Sequence, residues 1–303
     1  MTHGGAGNLP GKSRQTDMAG YLMLAPFTIL FVLFTVLPVA IAIWFSFTNY
    51  DMLHNASFTG LENYMRMFLD DDVFLIALKN TLIFALVTGP ISYFMCFFFA
   101  WLINELKPAL RAVATLVFYA PVLSGSVFTV WQFILSPDRY GMLNGFLINL
   151  GIMQTPVSWL LDTRYIMTSL IIVQLWMSLG TGFLAFIAGL QGVDTTLYEA
   201  ASIDGVRNRF QELWYVTLPQ MAPQMMFGAV MQIVSSFTVG SISIALAGQP
   251  STEYAGETIV THMVDYGTTR YEMGYACAIA CFLFFMMYVS KRGVNKILSR
   301  VGH

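Results

Sequence analysis

YEAASIDGVRNRFQELWYVTLPQMAP, residues 198–223, is the one long polar island in the second half of a very apolar chain. Uncharged runs at 166–190 and 222–247 flank it. Each is long enough to cross a bilayer, which takes roughly 20 apolar residues. The island therefore hangs between two expected spans. Thr195 and Thr196 stand where they can cap a short helix carrying Leu197, Tyr198, Glu199, Ala200, Ala201 and Ile203. Gly205 permits a sharp turn. Residues 207–215 suit a second short helix, closed by Pro219 and Pro223. A plain connection needs only a few residues, whereas this one uses about thirty. It also places Leu197, Ile203, Phe210, Leu213 and Trp214 at helical spacings. A solvated linker has no use for them, so the stretch reads as a compact knob that docks on something.

Glu199-Ala200-Ala201, three residues, Gly205, and then Val216-x-Leu218-Pro219 resembles the EAA loop in the permease subunits of ABC importers. Ten residues separate Gly205 from Val216, where the family usually has nine, and Val206 stands where alanine is common. The resemblance implies an all-α integral membrane protein with six transmembrane helices in the type I ABC importer permease fold. It implies that residues 191–221 seat in a groove of a cytoplasmic ATPase, with Glu199, Ala200, Ala201, Asp204, Gly205, Leu218 and Pro219 as coupling residues. It also implies the partners: a second homologous permease, two ABC ATPase subunits and an extracellular or periplasmic sugar-binding protein. No cofactor is expected on this chain; ATP and Mg belong to the ATPase subunits. A second stretch, Phe58-Thr59-Gly60-Leu61-Glu62-Asn63-Tyr64 followed by Leu78-Lys79-Asn80-Thr81, resembles the same region of sugar-importer permeases. That narrows the resemblance to carbohydrate importers of the maltose-importer type.

Composition agrees with a membrane protein. The 303 residues are 56% hydrophobic and 11% charged, against about 25% charged in a soluble domain. Residues 1–20 are Gly-rich and polar, and read as a cytoplasmic tail. Within it, Ala6 and Gly11-Lys12-Ser13 imitate a P-loop, but no strand precedes them and no phosphate cradle is expected. Expected spans lie at 21–47, 81–104, 112–135, 166–190, 222–247 and 273–290, with a basic tail at 291–303. Between 48 and 80 an amphipathic helix presents Leu61, Tyr64, Met65, Phe68 and Leu69 on one face, suited to lie along the membrane surface. Residues 248–272 read as a second polar connection. Cys277 and Cys281 lie one helical turn apart without convergent His or acid, which makes packing residues rather than a metal site.

Placing both termini, the Lys107/Arg111 loop and the knob on one side puts ten Lys and Arg there and five on the other. The positive-inside rule then makes that side the cytoplasm, and the resemblance implies that the membrane is a bacterial plasma membrane. No Asp, Glu, Lys, Arg or His lies inside any expected span. An intramembrane charge is usually functional, so its absence argues against a secondary transporter and against a membrane enzyme; no catalytic residue and no nucleic-acid contact is expected. A scaffold or assembly subunit remains a rival class.

At about 100° per residue, Gln174, Ser178 and Thr181 share a narrow face of the fourth span. Gln232, Ser235, Ser236 and Ser243 share a broader arc of the fifth. Two readings stay open. These residues can hydrogen-bond between helices, or they can meet an uncharged, hydroxyl-rich ligand in mid-membrane. The resemblance to maltose-importer permeases places sugar contacts on these two spans and carries Gln174, Ser178, Thr181, Gln232, Ser235 and Ser236 as substrate-path candidates. Trp176 lies about 160° from Ser178 and reads as packing.

Overall fold

The computed structural model describes residues 14–124 and 127–298. The P-loop-like residues, Lys12 and Arg300 lie outside the described residues, as does the side chain of Thr181. The described chain is nearly all helix.

Helix α1 (Arg14–Phe31) passes through a π turn (Val32–Val36) into α2 (Leu37–Phe45). Pro38 has no N–H to give the preceding turn. The ladder crosses that gap with a bond from Leu37 N–H to Val32 O. No residue of the Tyr21–Phe45 span is buried. Next comes α3 (Glu62–Leu69), an amphipathic helix that turns its polar and apolar residues to opposite sides. Its inward residues are Asn63 and Met67, while Leu61, Met65 and Leu69 stay exposed. The reason lies in the backbone: Asn63 Nδ2 donates to Ser46 O at 2.9 Å and Thr48 O at 2.8 Å, closing carbonyls left open where the first span ends.

Helix α4 (Asp72–Asn104) begins well before residue 81, because the Asp71 carboxylate caps it by accepting from Phe74 N–H at 2.9 Å. The third expected span, 112–135, is not one rod. It is α5 (Pro108–Leu123) and α6 (Val127–Ile134), bent by 87°. Ser124-Gly125-Ser126 joins them, and those residue types are weak helix formers. Helix α7 (Met142–Asn149) follows. It carries buried Asn144, whose side chain bonds Ser136 O, Asp138 O, both backbone groups of Val157 and Trp159 Nε1.

The fourth span is α8 (Ile166–Met177) and α9 (Thr181–Gln191), and α10 (Thr195–Ile203), α11 (Arg209–Glu212) and α12 (Leu218–Gln220) form the knob. The fifth span is α13 (Ala222–Phe237) and α14 (Ser241–Ala247). After α15 (Ile259–Val264) comes α16 (Met273–Leu298), which carries the sixth span past residue 290 into the basic tail. By length and composition, five spans can cross a membrane, or six when α5 and α6 count as one.

Helices α4, α9 and α13 pack together as the centre. Glycines let α9 and α13 approach: a Cβ on Gly228 would lie 2.6 Å from Phe186 Cζ. The end remote from the knob is tied by a buried polar node. Asp71 Oδ2 accepts from Tyr275 Oη at 2.7 Å and meets His262 Nε2 at 2.9 Å. Burial alone raises the Asp71 pKa, but hydrogen bonds from His262, Tyr275 and Phe74 N–H outweigh it and hold the carboxyl below the usual carboxylate range. Arg66 pairs with Glu272 and lies over the Tyr275 ring, 4.4 Å from its centre.

The polar connection at 248–272 is packed into the node: Ser251, Glu257, Thr258, Thr261 and His262 are all buried. Tyr275→Phe is expected to lower stability by about 1–3 kcal/mol, the loss of one bond to a buried group. His262→Leu is expected to lower it by more, because it removes the hydrogen bond that most favours the buried carboxylate and leaves Asp71 with Tyr275 and Phe74 N–H alone. Melting of the purified complex in detergent checks the order; equal effects contradict it.

Candidate functional site

The knob is built on a capped helix and a left-handed glycine. Asp194, rather than Thr195 or Thr196, is the cap of α10, its carboxylate accepting from Thr196 N–H at 2.9 Å. A carboxylate suits that end of a helix better than a hydroxyl. Gly205 has φ +98°. Val206 N–H there returns to Ala201 O at 3.0 Å and closes the helix. A Cβ on Gly205 would meet nothing within 4 Å, so the constraint on this residue is backbone conformation and not space.

The expected second helix over 207–215 begins at Arg209 and continues through a π turn to Gln220. Helix α11 ends at Glu212 and a π turn, Leu213–Thr217, follows it, with Leu218 N–H bonded to Leu213 O. A π turn takes up one extra residue, which matches the ten residues between Gly205 and Val216.

Val216, Thr217 and Met221 root the knob in the core. Tyr198 Oη bonds Thr217 Oγ1 at 3.0 Å, and Arg209 reaches Glu212 at 2.7 Å and Glu105 at 3.4 Å. Glu199, Ala200, Asp204, Gly205 and Pro219 are exposed, and Ala201 and Leu218 are half-buried. Around them Ile203 is 86%, Phe210 72%, Trp214 65% and Tyr215 68% exposed. So large an apolar group on a charged projection marks a docking surface.

The polar stripes meet where the spans break. Helices α8 and α9 part at Ser178–Gly180, and α13 and α14 at Thr238–Gly240. A cavity of about 160 Å³ opens beside the first break, lined by Val122, Ser178, Gly180, Gly182, Gln232 and Ser235 among others. Gln174 sits behind it and donates to Ser235 Oγ at 2.9 Å. Gln232 Nε2 lies 3.1 Å from Cys96 Sγ and 3.4 Å from Ser178 O.

Ser178 Oγ donates to Leu175 O at 2.6 Å. Ser236 is buried, donates to Ile233 O, and is not among the lining residues. Ser243 turns away to Gly256 O. Thr181 opens α9, its side chain outside the described residues. Interhelical bonding and cavity lining therefore coexist in the same residues. Trp176 stands edge-on to Trp131 at 5.6 Å on an apolar flank with Met95, Phe99 and Phe118. Sequence reasoning does not single out Val122, Gly180, Gly182 or Cys96; glycines inside an apolar run are the signal that points to the first three's neighbourhood.

Residues 81–301 match the family described as binding-protein-dependent transport system inner membrane component. The arabinooligosaccharides transport system permease protein AraP of Bacillus subtilis (strain 168) is 28% identical over 273 residues, covering 89% of this chain and 85% of that protein. The sn-glycerol-3-phosphate transport system permease protein UgpA of Agrobacterium fabrum (strain C58 / ATCC 33970) is 31% identical over 288 residues, covering 90% and 94%. Among solved structures, a chain of a bacterial ABC transporter involved in import of the acidic polysaccharide alginate superposes with a TM-score of 0.76 at 24% identity, over 95% of this chain and 98% of that one.

Proposed function

The chain belongs to the family of binding-protein-dependent transport system inner membrane components, and from that premise we propose that it is the permease subunit of an ATP-driven importer of a neutral sugar or oligosaccharide. The apolar, exposed knob carries the reading, since it supplies a docking surface for a separate ATPase. ATP and Mg bind on two ATPase subunits, and closure of those subunits pushes Glu199, Gly205 and their neighbours. The knob and both termini face the cytoplasm, as the distribution of basic residues favours.

Gln174, Ser178, Thr181, Gln232, Ser235 and Ser236 form or support this chain's wall of the path. The cavity is about 160 Å³, below the roughly 300–1,000 Å³ of a complete ligand pocket. A second homologous permease supplies the facing wall, and an extracellular binding protein delivers the sugar. A phosphate or carboxylate ligand calls for Arg or Lys, and the fourth and fifth spans, which carry the polar stripes, hold neither. This chain's wall of the path therefore suits a neutral ligand.

The test is uptake by the reconstituted complex of arabinotriose, lactose and sn-glycerol 3-phosphate. ATP-dependent uptake of a neutral carbohydrate without the phosphate is expected. Uptake driven by an ion gradient without ATP contradicts the reading, and an assembled complex that takes up none of the three favours a scaffold.

A further inference from the structure

We infer that Cys96 is a positioning residue for transport: with Gly182 it fixes the Gln232 amide so that the Gln232 carbonyl oxygen faces the ligand as an acceptor. This rests on the proposed mid-span site. Three observations carry it. Gln232 is 4% exposed and Cys96 fully buried. The Cys96 thiol donates to Ser178 O at 3.2 Å, and Gln232 Nε2 lies against both that sulfur and that carbonyl. The carbonyl of Ser178 only accepts, so the side of the amide facing it is the nitrogen. Gly182 leaves the place that Gln232 occupies, since a Cβ there would lie 2.8 Å from Nε2.

The amide hydrogens are thereby directed at the Cys96 sulfur on α4 and at the Ser178 carbonyl in the break between α8 and α9. Gln232 Oε1 is left with no hydrogen-bond partner among the described residues, in a side chain that lines the cavity. An acceptor open to the cavity and without a protein partner suits a ligand that offers a donor. A sugar hydroxyl does so. Cys96 thus joins two jobs: it closes a carbonyl at a broken span and sets the polarity of the site.

The test uses the reconstituted complex with each carbohydrate of the panel above that the unaltered protein takes up. The readout is sugar taken up per ATP hydrolysed. A merely structural defect lowers uptake and stimulated hydrolysis together, whereas a misaimed amide lowers the ratio. Cys96→Val and Gly182→Ala are each expected to lower it about fivefold or more, the effect of one lost bond. Cys96→Ser, which keeps a donor and an acceptor, restores it.

A second arm needs no ligand. With Cys277 and Cys281 replaced by Ala, the S–H stretching band that Cys96→Val removes is expected at the lowered frequency of a donating thiol. A free-thiol band overturns the inference. If Gln232→Leu lowers the ratio while Cys96→Val and Gly182→Ala leave it unchanged, only the inference falls. If Gln232→Leu has no effect, or no carbohydrate is taken up, the site reading falls and the inference with it.

Discussion

Gly205→Asp and Glu199→Lys are expected to abolish binding-protein-stimulated ATP hydrolysis and sugar uptake while the spans insert as before. The two act by different physics. Gly205 holds φ +98° with open space around it, so an added side chain strains the backbone rather than clashing. The return bond from Val206 N–H to Ala201 O then opens, and the angle between α10 and α11 changes. Glu199 is an exposed member of α10, and reversing its sign repels whatever basic group it attracts. A loss of ~3 kcal/mol at such a contact is about 100-fold in ATPase affinity. Copurification of the ATPase, with hydrolysis measured with and without binding protein, reads both. Neither substitution touches a span or the core beneath the knob. Full assembly and full stimulation in both variants remove the knob from the coupling path.

Gln232→Leu is expected to lower transport about 5- to 150-fold, the equivalent of ~1–3 kcal/mol for a ligand hydroxyl left unpaired in a dry site. Gln174→Leu acts more weakly. Gln174 lies behind the cavity and reaches it through Ser235 Oγ, so its loss releases a lining hydroxyl without removing a lining group. Trp176→Leu is expected to leave transport within about twofold, since its partner is Trp131 on the apolar flank. The checking measurement is initial uptake at equal amounts of assembled complex. Trp176→Leu below Gln232→Leu places the path on the wrong face of α8.

The class of fold was legible because it rests on gross quantities: apolar run lengths, the scarcity of charge and one long motif. The turn of the knob was legible because Gly205 and the apolar spacings are local signals. What sequence reasoning missed is non-local. Nothing in residues 112–135 announces an 87° bend, because Pro121 and Ser124-Gly125-Ser126 permit a break without requiring one.

Asn63 reads as one polar residue among many until the end of the first span is seen to need its amide. Asp71 lies 191 positions before His262 and 204 before Tyr275, so their node exists only in three dimensions. The polar stripes of the fourth and fifth spans were visible by periodicity. Which members line a cavity depends on where the helices break, and that is set by packing around Gly180 and Gly182 rather than by the stripe itself.

Sidedness decides whether the knob can meet an ATPase at all. Asn63 is too buried to report it, but Tyr140 is 94% and Ile203 86% exposed at sites on the expected opposite faces. With Cys277 and Cys281 replaced by Ala and the buried Cys96 kept, one cysteine introduced at a time at these two positions is to be treated in intact cells with a membrane-impermeant maleimide. Labelling at Tyr140→Cys, and at Ile203→Cys only after the cells are opened, is the result this account predicts. Labelling of Ile203→Cys from outside contradicts it.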